Sequence, residues 1–245
     1  MQDPKNEIRD YLKKLIHRFL YVKGLNKQLK LLREWETPNR IVALEIGSYF
    51  FRLVGFSFYR TLLIELCMLL DDREKKCIVD FLEKAKEHAK AIEPKRFDVS
   101  KFKREPVNFQ DYQNIIEEQQ KLINSKSEII SNIKGRRDTS LAHSDAQFFN
   151  NPDDTYVKHP LSDENIEDLI ELSTDILRTQ HLYLMDSDLD IQVHTTSNID
   201  TILWHIRGFN RVWFDKRATE LHPGLYKLDD YEERLKELQN KINKA

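Results

Sequence analysis

Glycine and proline are scarce in this chain, with six and seven in 245 residues, about 5% together where average usage is roughly 12%. So few breakers predict long helices. The glycines Gly24, Gly47, Gly55, Gly135, Gly208 and Gly224 are scattered singly. That scatter argues against turn-rich sandwiches, barrels and propellers, and against the glycine clusters of Rossmann and P-loop sites. Cysteine is nearly absent. Cys67 and Cys77 sit in apolar, helical-looking sequence, which excludes a disulfide framework or zinc site and fits a reducing compartment. Neither sign of charge dominates: 39 Lys and Arg against 41 Asp and Glu leave a net charge of −2, so no global field points to nucleic acid. The opening MQDPKNEIRD is charged where a signal peptide is apolar, and the most apolar stretch, 41–70, is interrupted by Glu45, Arg52, Arg60 and Glu65. A cytoplasmic protein without a membrane span is expected.

The chain is 40% hydrophobic, enough apolar material for a sizeable core and too much for whole-chain disorder. Ile8, Leu12, Leu15, Ile16, Phe19, Val22, Leu29 and Leu32 recur at spacings of three and four and define one face of a first helix, 6–33. Its other face is basic, because residues 5–33 hold nine Lys or Arg against two acids. Thr37 before Pro38 reads as the cap of an apolar helix running to about Leu70. A charged break at Asp71, Asp72 and Arg73 leads to a shorter helix, 75–92. The stretch from Pro94 to Pro106 reads as a basic linker with Phe97 and Phe102 interleaved. A long helical pattern follows from Tyr112 past Gly135, then a polar loop at 150–160. Ser162 caps the next helix, with Leu161 and Ile166 as staple, and two further helices are expected at 198–219 and 229–244. The aromatic cluster Tyr49, Phe50, Phe51, Phe56 and Phe58 reads as core or dimer packing. Together these patterns predict an all-α, up-and-down bundle of about seven helices. Its expected parts are a basic N-terminal helix (1–37), a central helical domain (38–220) and a charged C-terminal helix (221–245).

Familiar catalytic motifs are missing: there is no HExxH, CxxC, GxSxG or GxGxxG. Eight histidines are the natural acid-base candidates. Seven have ready structural explanations inside helices, before prolines or in a polar loop. His143 differs, since GRRDTSLAHSD places Arg136, Arg137 and His143 near the end of a long helix where apolar periodicity weakens. At about 100° per residue Arg136 and His143 share a face, with Arg137 about 120° away. The same spacing recurs at Arg217 and His222, but there the histidine directly precedes Pro223 and Gly224 and reads as a helix-terminal cation.

Arg137, Asp138 and His143 resemble the motif of the HEPN superfamily, an arginine, a polar residue and, after four to six residues, a histidine. The layout over roughly residues 40–215 is similar to its abortive-infection AbiU-like branch, with Glu65, Leu66, Leu69 and Asp71 ending an apolar helix and Ala142 and His143 closing the later segment. The resemblance implies an all-helical, metal-independent endoribonuclease in an abortive-infection or toxin system, needing no cofactor, whose composite site forms where two copies meet in a homodimer. Cleavage by the RNA's own 2′-hydroxyl needs a proton acceptor, a proton donor and a cation over the phosphoryl oxygens. On that implication His143 is the acid-base group, Arg137 the electrostatic stabiliser with Arg136 as an alternative, and Asp138 orients the arginine. An antitoxin or regulatory protein is an expected partner. Lys13 and Lys27 on the first helix, and Lys101, Lys103 and Arg104 in the basic linker, are candidates for RNA backbone contact. Two positions depart from related patterns, Asp145 where a related toxin group has a tyrosine and Met68 where an arginine is expected. The alternative to the enzyme is a catalytically silent helical module that binds RNA, nucleotide or a protein partner.

Overall fold

In the computed structural model the residues described are 3–33, 44, 47–98, 103–141, 152–185, 199 and 201–203. The long helices follow from the apolar spacing. Helix α1 spans Pro4–Arg33 and α2 spans Ser48–Leu70. They are followed by α3 (Ile78–Glu87), α4 (Ala89–Ile92), a two-stranded hairpin, α5 (Phe109–Ser125), α6 (Ser127–Arg136), a π-helical segment (Arg137–Leu141), α7 (Pro152–Lys158) and α8 (Asp163–Leu184). The eight apolar positions that define the face of α1 are all buried. The all-α class stands, with one small hairpin added.

The chain divides into two compact units, Met1–Leu25 with Arg60–Val193, and Asn26–Tyr59 with His194–Ala245. In the first, Leu12 and Phe19 of α1 are fully buried, as are Leu62, Leu63, Leu66 and Leu69 of α2, Phe81 and Leu82 of α3, Tyr112 and Ile116 of α5, and Leu169 and Leu177 of α8. Each such side chain contributes about 1.5–3 kcal/mol by leaving water. A buried polar clip joins α5 to α8: Tyr112 Oη donates to Gln180 Oε1 at 2.6 Å and Gln180 Nε2 donates to Gln119 Oε1 at 2.7 Å. In the second unit Leu32, Leu44, Phe51, Ile199 and Leu203 form the core. Of the aromatic cluster only Phe51 enters it fully, whereas Tyr49, Phe50 and Phe56 are exposed.

Several boundaries differ from expectation for local reasons. The basic linker is a β-hairpin, β1 (Lys95–Asp98) antiparallel to β2 (Lys103–Pro106), with Arg96 opposite Glu105 and Asp98 opposite Lys103. Opposite charges across the strands support that pairing where the apolar pattern gave no signal. The helix expected at 75–92 begins later, because the Cys77 thiol accepts from the Asp80 amide and caps it. It breaks at His88, and Glu93 at φ 52° ends α4. The polar loop at 150–160 contains α7, which opens on Pro152, the residue suited to a first helical turn. Ser162 does cap α8, and Asn165 completes a reciprocal capping box. Thr37, most of the helix expected at 198–219 and all of the helix expected at 229–244 lie outside the described residues.

Among the described helices α2 is long and apolar enough to cross a membrane by length and composition, with mean hydropathy 1.7 over its best 18-residue window, one third of it buried. Length and composition alone do not make it a span, since the core helix of a soluble protein meets the same test. Its interrupting charges Arg52 and Arg60 are exposed, and Glu65 accepts from Arg18 Nε of α1 at 2.6 Å.

Candidate functional site

The site begins where α2 ends. Asp71 donates its amide to the Cys67 carbonyl at 2.7 Å and turns its carboxylate inward, where it is only 2% exposed. A buried carboxylate is costly unless paired and hydrogen-bonded. Here it is: Arg73 donates from Nε to Oδ1 at 3.3 Å and from Nη2 to Oδ2 at 3.1 Å. Lys134 Nζ of α6 donates to Oδ1 at 3.2 Å. Arg137 Nη2 stands 3.7 Å from Oδ2 as a third cation.

Arg137 opens the π-helical segment directly after α6, and its own backbone stays in the right-handed helical region. The wider turn of a π segment changes the angular step between residues, and such segments recur at functional sites. The uniform 100° step that set Arg136 and His143 on one face therefore does not hold through 137–141. Thr139 Oγ1 donates to the Gly135 carbonyl at 2.7 Å within this stretch. Arg137 Nε donates to Asp138 Oδ1 at 2.8 Å and Nη1 to Glu74 Oε1 at 3.2 Å. Burial opposes the guanidinium charge, but the Asp138 hydrogen bond and the Asp138 and Asp71 charges outweigh it and hold its pKa above the ordinary value. Below it lies Cys67, whose thiol burial pushes up to about 11 against the opposing pull of Arg137.

Arg136 points elsewhere. It is buried, donates from Nε to the His159 carbonyl at 2.8 Å and from Nη2 to the Leu161 carbonyl at 3.4 Å, and stacks over the Tyr156 ring at 4.9 Å. The backbone between α7 and α8 is anchored by it. Beside it the His159 ring lies directly on Gly135, where a Cβ would meet Nδ1 at 2.2 Å. Burial, with help from Lys158 and Arg136, lowers the His159 pKa below its usual value.

The structure thus brings Arg137 and Asp138 together and sets Arg136 apart; His143 and Lys101 lie outside the described residues. Of the other candidates for RNA contact, Lys13 is exposed on α1 with Asp10 at 3.7 Å, and Lys27 is exposed on the same helix. Lys103 pairs with Glu105 at 3.4 Å, and Arg104 donates to the Leu182 carbonyl at 3.0 Å. Sequence reasoning missed Glu74 and Lys134, because contacts across 63 residues leave no periodic trace, and it read Arg73, two residues from Asp71, only as part of a charged break. Asp71 did carry a signal, as the first acid after the apolar run 66–70. At Met68, Arg18 of α1 lays Nη2 2.8 Å from the thioether sulfur. A groove of about 490 Å³ lined in part by Glu128, Asn132, Ser162 and Asn165 has no Lys, Arg or His among its lining residues. No group of three or more His, Cys, Asp or Glu side chains among the described residues is arranged to hold a metal ion.

Long helices around an arginine that a buried acid and a π segment hold in place describe a predominantly helical protein with a polar, ion-paired site. The model of the HEPN family AbiU2 matches residues 12–202, most of the chain. The chain belongs to that family and carries its abortive-infection association. No curated protein and no solved structure matches it.

Proposed function

We propose that this chain is a metal-independent endoribonuclease of an abortive-infection system, acting as a homodimer whose composite site joins Arg137 and His143 from two copies. The observation that carries the proposal is the setting of Arg137 in a chain of this family: a guanidinium with a side chain only 15% exposed, fixed by three carboxylates at a π-helical segment. A guanidinium so held suits the phosphoryl oxygens of a 2′-hydroxyl attack, where charge builds in the transition state. His143 supplies the proton transfers, one imidazole from each copy. Lys13, Lys27, Lys101, Lys103 and Arg104 hold the RNA backbone, and an antitoxin or regulatory protein controls the site.

The test is RNA cleavage in EDTA by the wild type, Arg137→Ala and His143→Ala, with His222→Ala as control. Cleavage by the wild type and His222→Ala alone supports the proposal. Equal loss in the control, or cleavage that persists in His143→Ala, refutes it. Absence of cleavage together with salt-sensitive RNA binding favours the silent binding module.

A further inference from the structure

The ion network around Asp71 does more than satisfy a buried acid. We infer that Asp71 is the positioning residue of an RNA-phosphate site built from three cations, Arg137, Lys134 and Arg73, and that Glu74 occupies in the free protein the guanidinium edge that the phosphate takes. The identity of the phosphate as RNA rests on the nuclease proposal above; the site itself rests on the geometry.

The three cations come from separate places, Arg73 from the turn after α2, Lys134 from α6 and Arg137 from the π segment. Like charges so close repel unless an anion sits among them, and Asp71 is that anion. Being 2% exposed, it cannot turn away to water without carrying the network with it. It fixes where three positive groups stand, and Arg73 and Lys134 remain open to solvent, at 59% and 25% of their side-chain surface.

Asp71, Glu74 and Asp138 balance Arg73, Lys134 and Arg137 one for one. An arriving phosphate would leave the cluster with excess negative charge unless a carboxylate yields its place. Asp71 is buried. Asp138 is the chain neighbour of Arg137 and takes Nε, on the side edge of the guanidinium. Glu74 reaches Nη1, on the outer edge, from an irregular turn and is 36% exposed. It is the group that exchanges, and a phosphate oxygen accepts from the same donor with similar geometry. Glu74 thus acts as a built-in competitor.

The experiment measures binding of a fluorescein-labelled, mixed-sequence 2′-O-methyl RNA 20-mer, which lacks the attacking hydroxyl, to the full chain by anisotropy over a range of salt. Glu74→Gln removes the competitor and is expected to tighten binding about three- to fivefold, the scale of a partly exposed ion pair. Arg73→Gln and Lys134→Gln are expected to weaken binding and each to lower the salt slope by about one. Asp71→Asn is expected to weaken it about tenfold or more and to move the Arg137 Nη2–H resonance, the one that faces Asp71, toward the position of a free guanidinium while the helical circular dichroism is unchanged. Absent binding by the wild type, Glu74→Gln binding no tighter than the wild type, or a folded Asp71→Asn that keeps both its affinity and the Arg137 resonance overturns the inference. If Asp71→Asn fails to fold, Glu74→Gln and Arg73→Gln decide it. Binding changes of these signs without cleavage of unmodified RNA in EDTA sink the nuclease proposal and leave the site, whereas cleavage without them does the reverse.

Discussion

Alanine at position 135 should destabilise a helix that alanine normally favours. In an ordinary helix interior Gly→Ala gains about 1 kcal/mol. Here an ideal Cβ would lie 2.2 Å from His159 Nδ1, 2.3 Å from Cε1 and 2.5 Å from Cγ, all closer than the 3.0 Å below which something must shift. Cγ is the first ring atom, so flipping the imidazole about χ2 gives no relief. The ring must leave, or the backbone from 159 to 161 must move, and that backbone is gripped by Arg136 and by the His159 amide donating to the Thr155 carbonyl at 3.0 Å. Overpacking of this kind costs about 1–3 kcal/mol, leaving a net loss of about 1 kcal/mol after the gain in propensity. For a chain of this size the midpoint of thermal unfolding should fall by about 2–4 °C. The sign reverses without the ring: in a His159→Ala background, Gly135→Ala should stabilise by about 1 kcal/mol. Urea unfolding of the four chains measures both effects. A Gly135→Ala protein more stable than the wild type would refute the close approach.

Other expectations follow from the same geometry. Arg136→Met leaves the His159 and Leu161 carbonyls without their charged donor and should cost about 2 kcal/mol, measured by urea unfolding; a change below about 0.5 kcal/mol would contradict the anchoring role. Tyr112→Phe removes the hydroxyl from the buried Gln180 and Gln119 pair and should cost about 1–2 kcal/mol, and a neutral result would mean that the pair is rehydrated. His159 has a folded pKa below its ordinary 6.5. It adds nothing where both states are neutral, and stability is lost as pH falls from there through the folded pKa, since the unfolded chain takes up the proton first. His159→Asn should flatten the decline in stability between about pH 7.5 and 5, and an unchanged decline would argue against the depressed imidazole. Burial raises both thiols, Cys67 to about 11, so neither should react with iodoacetamide at pH 8 until the chain unfolds; rapid native labelling would show an open α2 terminus.

The sequence pattern reveals the long elements because burial on one helix face repeats every three to four residues. The face from Ile8 to Leu32 and the cap at Ser162 were legible for that reason. The hairpin at 95–106 was not, since its strands are too short and charged for a period of two to emerge, and their pairing depends on opposite charges across the strands. Cys77 as a cap was hidden because a thiol is a weak acceptor that sequence rules do not count. In the site, Arg137 and Asp138 were visible as neighbours, but Glu74 and Lys134 belong to it only through folding. The π segment was invisible for a different reason. Apolar spacing reports an average turn, and five residues of another pitch at the end of a helix hardly change that average.

Residues 135–137 show what that loss of phase conceals. Three consecutive positions on a helix are spread over about 200°, so each faces a different neighbour. Gly135 faces His159 and gives the ring its room. Arg136 faces the carbonyls of His159 and Leu161 and becomes part of the scaffold. Arg137 faces Asp71 and Glu74, the partly exposed ion cluster, and is the arginine left with chemistry to do. Two arginines that composition and spacing cannot tell apart are separated by what each finds to donate to: neutral carbonyls pair permanently with Arg136, whereas a carboxylate facing solvent can be exchanged for another anion.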